Sequence, residues 1–291
     1  MDLNQDGIND ILSGSYSRSG SSMAGLFQVL WGTSKGDFQQ AAVLNGTDGE
    51  PLIIPTDGNK YLTETICTRP TAVDWDADGD LDLVVGNFAG SFYLFKGEGK
   101  GKFDPEPELI KSDENQPLKI KGAHSDPVVV DWDGDGDLDL LSGSSQGGVQ
   151  WAENLGRRGQ KRPTLRGFKT LIETGNQTQR GTFLSEADLT GPASSTRIWV
   201  DDVNGDGKLD ILVGDSVSLS SPAKGLSEKE SKQRMADWQK EVNELMTVLR
   251  DPKAAAKERQ EASTRYSKLY QEKNKFVKQE STGFVWLYLQ K

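Results

Sequence analysis

Four segments of this chain align without gaps: DLNQDGINDILSG from Asp2, DWDADGDLDLVVG from Asp74, DWDGDGDLDLLSG from Asp131 and DVNGDGKLDILVG from Asp202. All fit D-x-[DN]-x-D-G-x-x-D-[LI]-[LV]-x-G, and they begin 72, 57 and 71 residues apart. Such repetition inside one chain restricts the fold to an array of similar units, each stacked on the next. Every copy runs from an acidic bend into a short apolar segment, the order of a turn followed by a strand. A hydrophobic share of 34% with 32 glycines in 291 residues suits many short strands better than a thick helical core.

The bends carry the chemistry of a hard cation. Calcium takes six to eight oxygens, and side chains at positions 1, 3 and 5 of a tight loop can converge on one point. Those positions hold Asp2, Asn4 and Asp6; Asp74, Asp76 and Asp78; Asp131, Asp133 and Asp135; and Asp202, Asn204 and Asp206. Glycine at position 6 permits the positive φ such a bend needs. Position 7 offers a backbone carbonyl, so its side chain is free to vary: Ile8, Asp80, Asp137 and Lys208. Position 9 completes the set with Asp10, Asp82, Asp139 and Asp210. The chain is therefore expected to hold up to four Ca2+ ions.

Rival readings fare worse. An EF-hand needs a bidentate acid at position 12 and flanking helices, whereas position 12 here is Ser13, Val85, Ser142 or Val213 and the flanks are strand-like. Plain acidic turns would not need aspartates at four fixed positions around one glycine. A zinc enzyme is disfavoured because His124 is the one histidine.

The string VDWDGDGDLDLLSG resembles the calcium loop of FG-GAP/VCBS repeat proteins, whose blades are similar to those of the integrin α-subunit head. That resemblance covers most of residues 1–225 and returns at 281–291. It implies an all-β β-propeller in which each loop joins the first two strands of a four-stranded blade. Third strands are then expected at 25–32, 90–97, 147–156 and 283–291, and outer strands near 38–44, 103–110 and 166–172. Blades two and three are complete on this reading, the first lacks its inner strand and the fourth its outer one. The expectation is four calcium-loop blades of a larger, about seven-bladed propeller, in a fragment whose natural start lies upstream.

Residues 226–279 break the pattern, which divides the chain into blades at 1–225 and 280–291 and an inserted helical hairpin between the second and third strands of the last blade. Ser227 and Glu230 form a capping box, and Asp251-Pro252 reads as N-cap and first residue of a second helix. Met235, Trp238, Val242, Leu245, Met246 and Leu249 on one helix face Ala262, Tyr266, Leu269, Tyr270 and Phe276 on the other. The stripe is about what the hairpin needs for itself, a partner-binding coiled coil being the alternative. Trp75 and Trp132 at loop position 2 are expected to pack between blades, with a sugar-stacking platform as the other possibility. Five residues before each first ligand aspartate stand Arg69, Asp126 and Arg197: either a charged ring for an anionic or glycan ligand, or a structural salt-bridge chain. The remaining long connections are 45–68 and 173–196.

A net charge of −10 excludes the basic excess that nucleic-acid binding requires, and four bound Ca2+ would bring it to −2. Cys67 stands alone, so no internal disulfide forms. No run of 18 apolar residues predicts membrane insertion. No nucleophile elbow, paired His and Cys, or phosphate-cradling loop is present, so no enzyme activity is expected. These readings predict a calcium-binding module, extracellular or at the cell surface, that recognises a protein or glycan in adhesion, with calcium structural. The alternative is the non-catalytic propeller portion of a larger secreted enzyme acting on polysaccharides or phospholipids.

Overall fold

The computed structural model describes residues 1–16, 25–54, 62–156, 163–178 and 182–291. Parts of the two long connections, at 55–61 and 179–181, lie outside the described residues. The described chain is all-β apart from its helices, with antiparallel sheets built from strands that are neighbours in sequence except where the last strand of the chain, Val285–Tyr288, joins Asp210–Gly214. It divides into two compact units: residues 1–174, 191–215 and 285–291, and residues 175–190 and 216–284.

The first unit holds four sheets. The first consists of β1 (Ile11–Ser13), β2 (Gln28–Leu30) and β3 (Ala42–Val43). The second is β4 (Arg69–Val73), β5 (Asp82–Gly86), β6 (Phe92–Phe95) and β7 (Glu108–Leu109). The third repeats this with β8 (Asp126–Val130), β9 (Asp139–Gly143), β10 (Val149–Ala152) and β11 (Lys169–Ile172). The fourth starts with β12 (Arg197–Asp201) and β13 (Asp210–Gly214), and its third strand comes from the end of the chain. Among the described residues the first sheet thus has no strand equivalent to β4 and the fourth none equivalent to β7, as the repeat spacing predicts.

Burial explains the apolar runs. Every residue of β5 and β9 is buried, because neighbouring sheets cover both faces of these central strands. Leu83 and Val85 pack with Phe27, Val29 and Leu52 of the first repeat, while Val84 on the opposite face packs with Leu140 and Ala152 of the third. A strand covered twice reads as continuously hydrophobic rather than alternating. Loop position 2 joins the same contacts: Trp75 clusters with Leu118, Ile120 and Leu140, and Trp132 with Ile198, Ile211 and Val213. Both indoles are packing groups, as expected.

The second unit is wider than the 226–279 hairpin read from the sequence. It also contains a two-stranded ribbon, β14 (Val217–Pro222) and β15 (Val277–Thr282), between which run α1 (Glu228–Arg250) and α2 (Ala256–Glu272). The chain then re-enters the fourth sheet as β16 (Val285–Tyr288), paired with β13. Leu184 bridges to Ser220 on the ribbon edge, which is how 175–190 joins this unit. The Ser227–Glu230 capping box forms as predicted, Ser227 Oγ accepting the Glu230 N–H at 3.2 Å. The second helix starts later than expected. Asp251 instead closes α1 with extended backbone, its N–H donating to the Val248 carbonyl, and its carboxylate accepts the Lys253 N–H at 2.8 Å. An aspartate that caps its own turn in this way is no longer available as an N-cap, and α2 begins after Ala255. Trp238, Val242, Leu269, Phe276 and Val277 form the buried seam, with Trp238 Nε1 donating to the Leu269 carbonyl at 2.9 Å. No described helix is long and apolar enough to cross a membrane.

Candidate functional site

Each repeat folds its bend around the carboxylate at position 1. Asp74 accepts the N–H groups of Asp78 and Gly79, each at 3.1 Å. Asp2 receives those of Asp6 at 3.0 Å and Gly7 at 2.8 Å. Asp131 takes Gly134 and Gly136, and Asp202 takes Gly205, Asp206 and Gly207. The position-5 carboxylates of Asp6, Asp78, Asp135 and Asp206 turn to the N–H of Ile8, Asp80, Asp137 and Lys208. The glycines at position 6 sit at φ of +87° (Gly7), +96° (Gly79 and Gly136) and +86° (Gly207), a conformation a Cβ would resist.

In two loops the predicted carboxylates converge: Asp74, Asp76 and Asp78, and Asp131, Asp133 and Asp135, each offer one oxygen, and within each trio these lie within 4.8 Å of one another. Limited water access, then the charges of Asp135 and Asp131, hold the Asp133 carboxyl above its ordinary value. Mutual repulsion of this kind is what a divalent cation relieves. The donors are oxygens, without sulfur or imidazole, which fits calcium or magnesium rather than zinc. The other two loops carry Asn4 and Asn204 at position 3, each amide donating to Asp6 or Asp206 at 3.0 Å. In the Asp74 loop, Asp76 is paired with Lys96 at 2.7 Å.

Position 9 stands apart from these clusters. Asp82 accepts the Trp75 N–H with one oxygen and the Gly97 N–H with the other, at 3.0 and 2.7 Å. Asp139 does the same with Trp132 and Asn154 at 3.1 and 2.6 Å. Asp10 bonds Leu3 and Gly32, and Asp210 bonds Val203 and Gln290. All four are buried and tie position 2 of their own loop to the end of the sheet's third strand. Burial raises the Asp82 carboxyl and pushes that of Asp139 up to about 6, against the lowering effect of the backbone bonds. The sequence reading missed this second partner. Its signal was the residue closing each third strand: Gly32, Gly97, Asn154 and Gln290.

Arg69, Asp126 and Arg197 open the first strands β4, β8 and β12, and pair across to Gly86, Gly143 and Gly214. The three meet, Arg69 Nε and Arg197 Nε lying 3.6 and 3.8 Å from the same Asp126 oxygen. Burial raises the Asp126 carboxyl despite both guanidiniums, and burial followed by Arg197 lowers Arg69. One residue earlier stands a hydroxyl that the sequence reading overlooked. Thr68, Ser125 and Thr196 accept the N–H of Ser15, Asn87 and Ser144 from the preceding repeat at 2.9, 2.8 and 2.8 Å.

No curated protein matches the chain. One solved structure with some likeness is an Agrocybe aegerita lectin described as specifically recognising non-reducing terminal N-acetylglucosamine. Identity is 16%, the alignment covers 71% of this chain and 47% of the lectin, and the TM-score is 0.35. The chain spans about half the length of that protein, and a likeness this loose carries neither fold nor function. Residues 74–142, which contain the two converged aspartate clusters, match the family model of the FG-GAP-like repeat, consistent with an FG-GAP repeat protein.

Proposed function

We propose that this chain is a calcium-stiffened set of β-propeller blades that acts outside the cell as a recognition module for a protein or glycan, and that it has no catalytic role of its own. The observation that carries the reading is the convergence of three carboxylates in each of the Asp74 and Asp131 loops. Four antiparallel sheets, three of sequence-adjacent strands and a fourth completed by β16 from the end of the chain, support the blade arrangement. A bound ion would neutralise the clustered charge and fix the bend between the first two strands of each sheet. Binding that is confined to the folded state stabilises it, by about 2.7 kcal/mol per site at a hundredfold excess over Kd. Extracellular calcium modules have Kd values of roughly 10⁻⁴–10⁻³ M, which suits sites that fill in external fluid.

Calorimetric titration of the chelator-treated chain with calcium, alongside melting curves in calcium and in EGTA, tests this reading. Saturable binding with a higher melting temperature in calcium is expected. Identical melts in both buffers would sink the metal assignment.

A further inference from the structure

Two of the hollows in the second unit, of about 520 Å³ each, share a wall made by Trp238, Gln239 and Lys273. One lies between α1 and the β14–β15 ribbon, with Ser218, Ser220 and Gln279 on the ribbon side. The other runs along α1 and α2 and is lined by Asn243, Arg250, Tyr266 and Tyr270. The chain has 44 acidic residues against 34 basic ones, yet among the described residues lining either hollow there is no carboxylate.

The charges present are cationic. Lys232 is neutralised by Glu228 at 2.6 Å. Lys273 and Arg250 have no carboxylate within 4.0 Å among the described residues. The Lys273 ammonium is held instead by the Gln279 side-chain oxygen at 3.0 Å and lies 5.3 Å from the centre of the Trp238 ring. Tyr270 meets Trp238 edge-on at 5.2 Å and Tyr266 at 4.7 Å, while remaining 46% exposed.

We propose that these joined hollows bind an acidic oligosaccharide, a short sugar chain bearing uronate carboxylates or sulfates. Exposed aromatic surface suits the apolar face of a pyranose ring. The amides of Gln239, Asn243 and Gln279 and the ribbon hydroxyls supply partners for sugar hydroxyls. Lys273 and Arg250 supply charge-assisted bonds to the acid groups. Two hollows with a common wall match a ligand of more than one ring. The inference names a ligand class for the recognition reading, but it rests on this unit alone and needs no metal.

The test is calorimetric titration of the whole chain, in saturating calcium, with a chondroitin sulfate tetrasaccharide and with neutral cellotetraose. The acidic tetrasaccharide is expected to bind at least about tenfold more tightly. K273Q and R250Q should each weaken it by about tenfold, the order expected for one lost bond to a charged group, with melting curves unchanged. Four outcomes would overturn the proposal: no binding, equal binding of the neutral sugar, displacement by equimolar inorganic phosphate, or affinity lost in R197Q but kept in K273Q. The calcium titrations of the same proteins keep a failure here separate from a failure of the metal assignment.

Discussion

A Cβ placed on Gly86 would overlap the backbone carbonyl oxygen of Ser125, so the end of β5 lies directly against the residue that precedes β8. The same relationship joins Gly14 to Thr68 and Gly143 to Thr196. Each pair is also locked by backbone bonds in the reverse direction, Thr68 N–H to Ser15, Ser125 N–H to Asn87 and Thr196 N–H to Ser144, at 3.1, 3.0 and 2.9 Å. In the first three motifs the last glycine is therefore the point where one sheet touches the next. Gly214 departs from the series, since the nearest atom to its Cβ position is the Arg197 carbonyl oxygen of its own sheet at 3.9 Å. Position 2 follows suit: Leu3, Trp75 and Trp132 are buried, whereas Val203 is 46% exposed.

This difference gives a paired prediction. G86A and G143A force backbone apart between sheets and should destabilise by about 1–3 kcal/mol or more. G214A makes only an ordinary van der Waals contact and should stay within about 0.5 kcal/mol. Urea unfolding of the three variants measures both. Equal losses at Gly86 and Gly214 would show that the glycines serve local backbone conformation rather than sheet contact.

Positions 3 and 9 of the motif should separate under chelation. D139A leaves the N–H groups of Trp132 and Asn154 without their acceptor, at roughly 2–4 kcal/mol for two buried donors. That loss should appear in EGTA as well as in calcium. D133N, in the proposed calcium cluster, removes a charge that Asp135 and Asp131 repel, so it should hold or slightly raise the EGTA melt while shrinking the calcium-induced shift. If D139A were silent in EGTA, the aspartate at position 9 would be a ligand alone and not the clip between loop and strand.

How much of this was legible depends on where each residue finds its partner. Strand order and the two incomplete sheets followed from the repeat, because a motif of fixed length places each strand by counting. The bend was readable as well, since Asp74, Asp78 and Gly79 interact within five residues. The partners of Asp82 and Asp139 lie 15 residues away on a third strand, and those of Asp10 and Asp210 lie 22 and 80 away. Nothing in the loop announces them. The start of α2 was misread for a different reason. Asp-Pro fits both the end of one helix and the beginning of another, and here the aspartate turned to its own Lys253.

The pairing of Lys96 with Asp76 predicts effects of opposite sign in two buffers. The Asp76 side chain is only 5% exposed, so K96Q leaves a buried carboxylate without its cation and should lower the melting temperature in EGTA. The same change removes a positive charge beside the Asp74 loop and should tighten calcium binding there by several-fold, the scale of about 1 kcal/mol near a protein surface. Calcium should therefore raise the melting temperature of K96Q by more than it raises that of the parent. An equal rise in both would mean that the ammonium and the ion do not compete.

His124 gives the pH prediction. Its ring lies tilted against Phe88 at 4.4 Å between centroids, and burial, followed by the charges of Arg69 and Arg197, holds its pKa below the ordinary value. Below about pH 6.5 the unfolded chain takes up this proton while the folded chain resists it until its own lower pKa is reached. The unfolded state thus binds more protons in that window, and stability rises with pH through it and falls on acidification. Asn tolerates the φ of +61° found at this position and carries no titrating group, so H124N should flatten the pH dependence between about pH 7.5 and 5.5. The measurement is the urea midpoint of each protein across that range, compared as a difference so that the many carboxylates common to both cancel. The parent's stability minus the variant's should shrink as pH falls, because only the parent loses the His124 contribution. Parallel curves would mean that His124 titrates alike in the folded and unfolded chains, and that neither its burial nor the two guanidiniums disfavour its charged form.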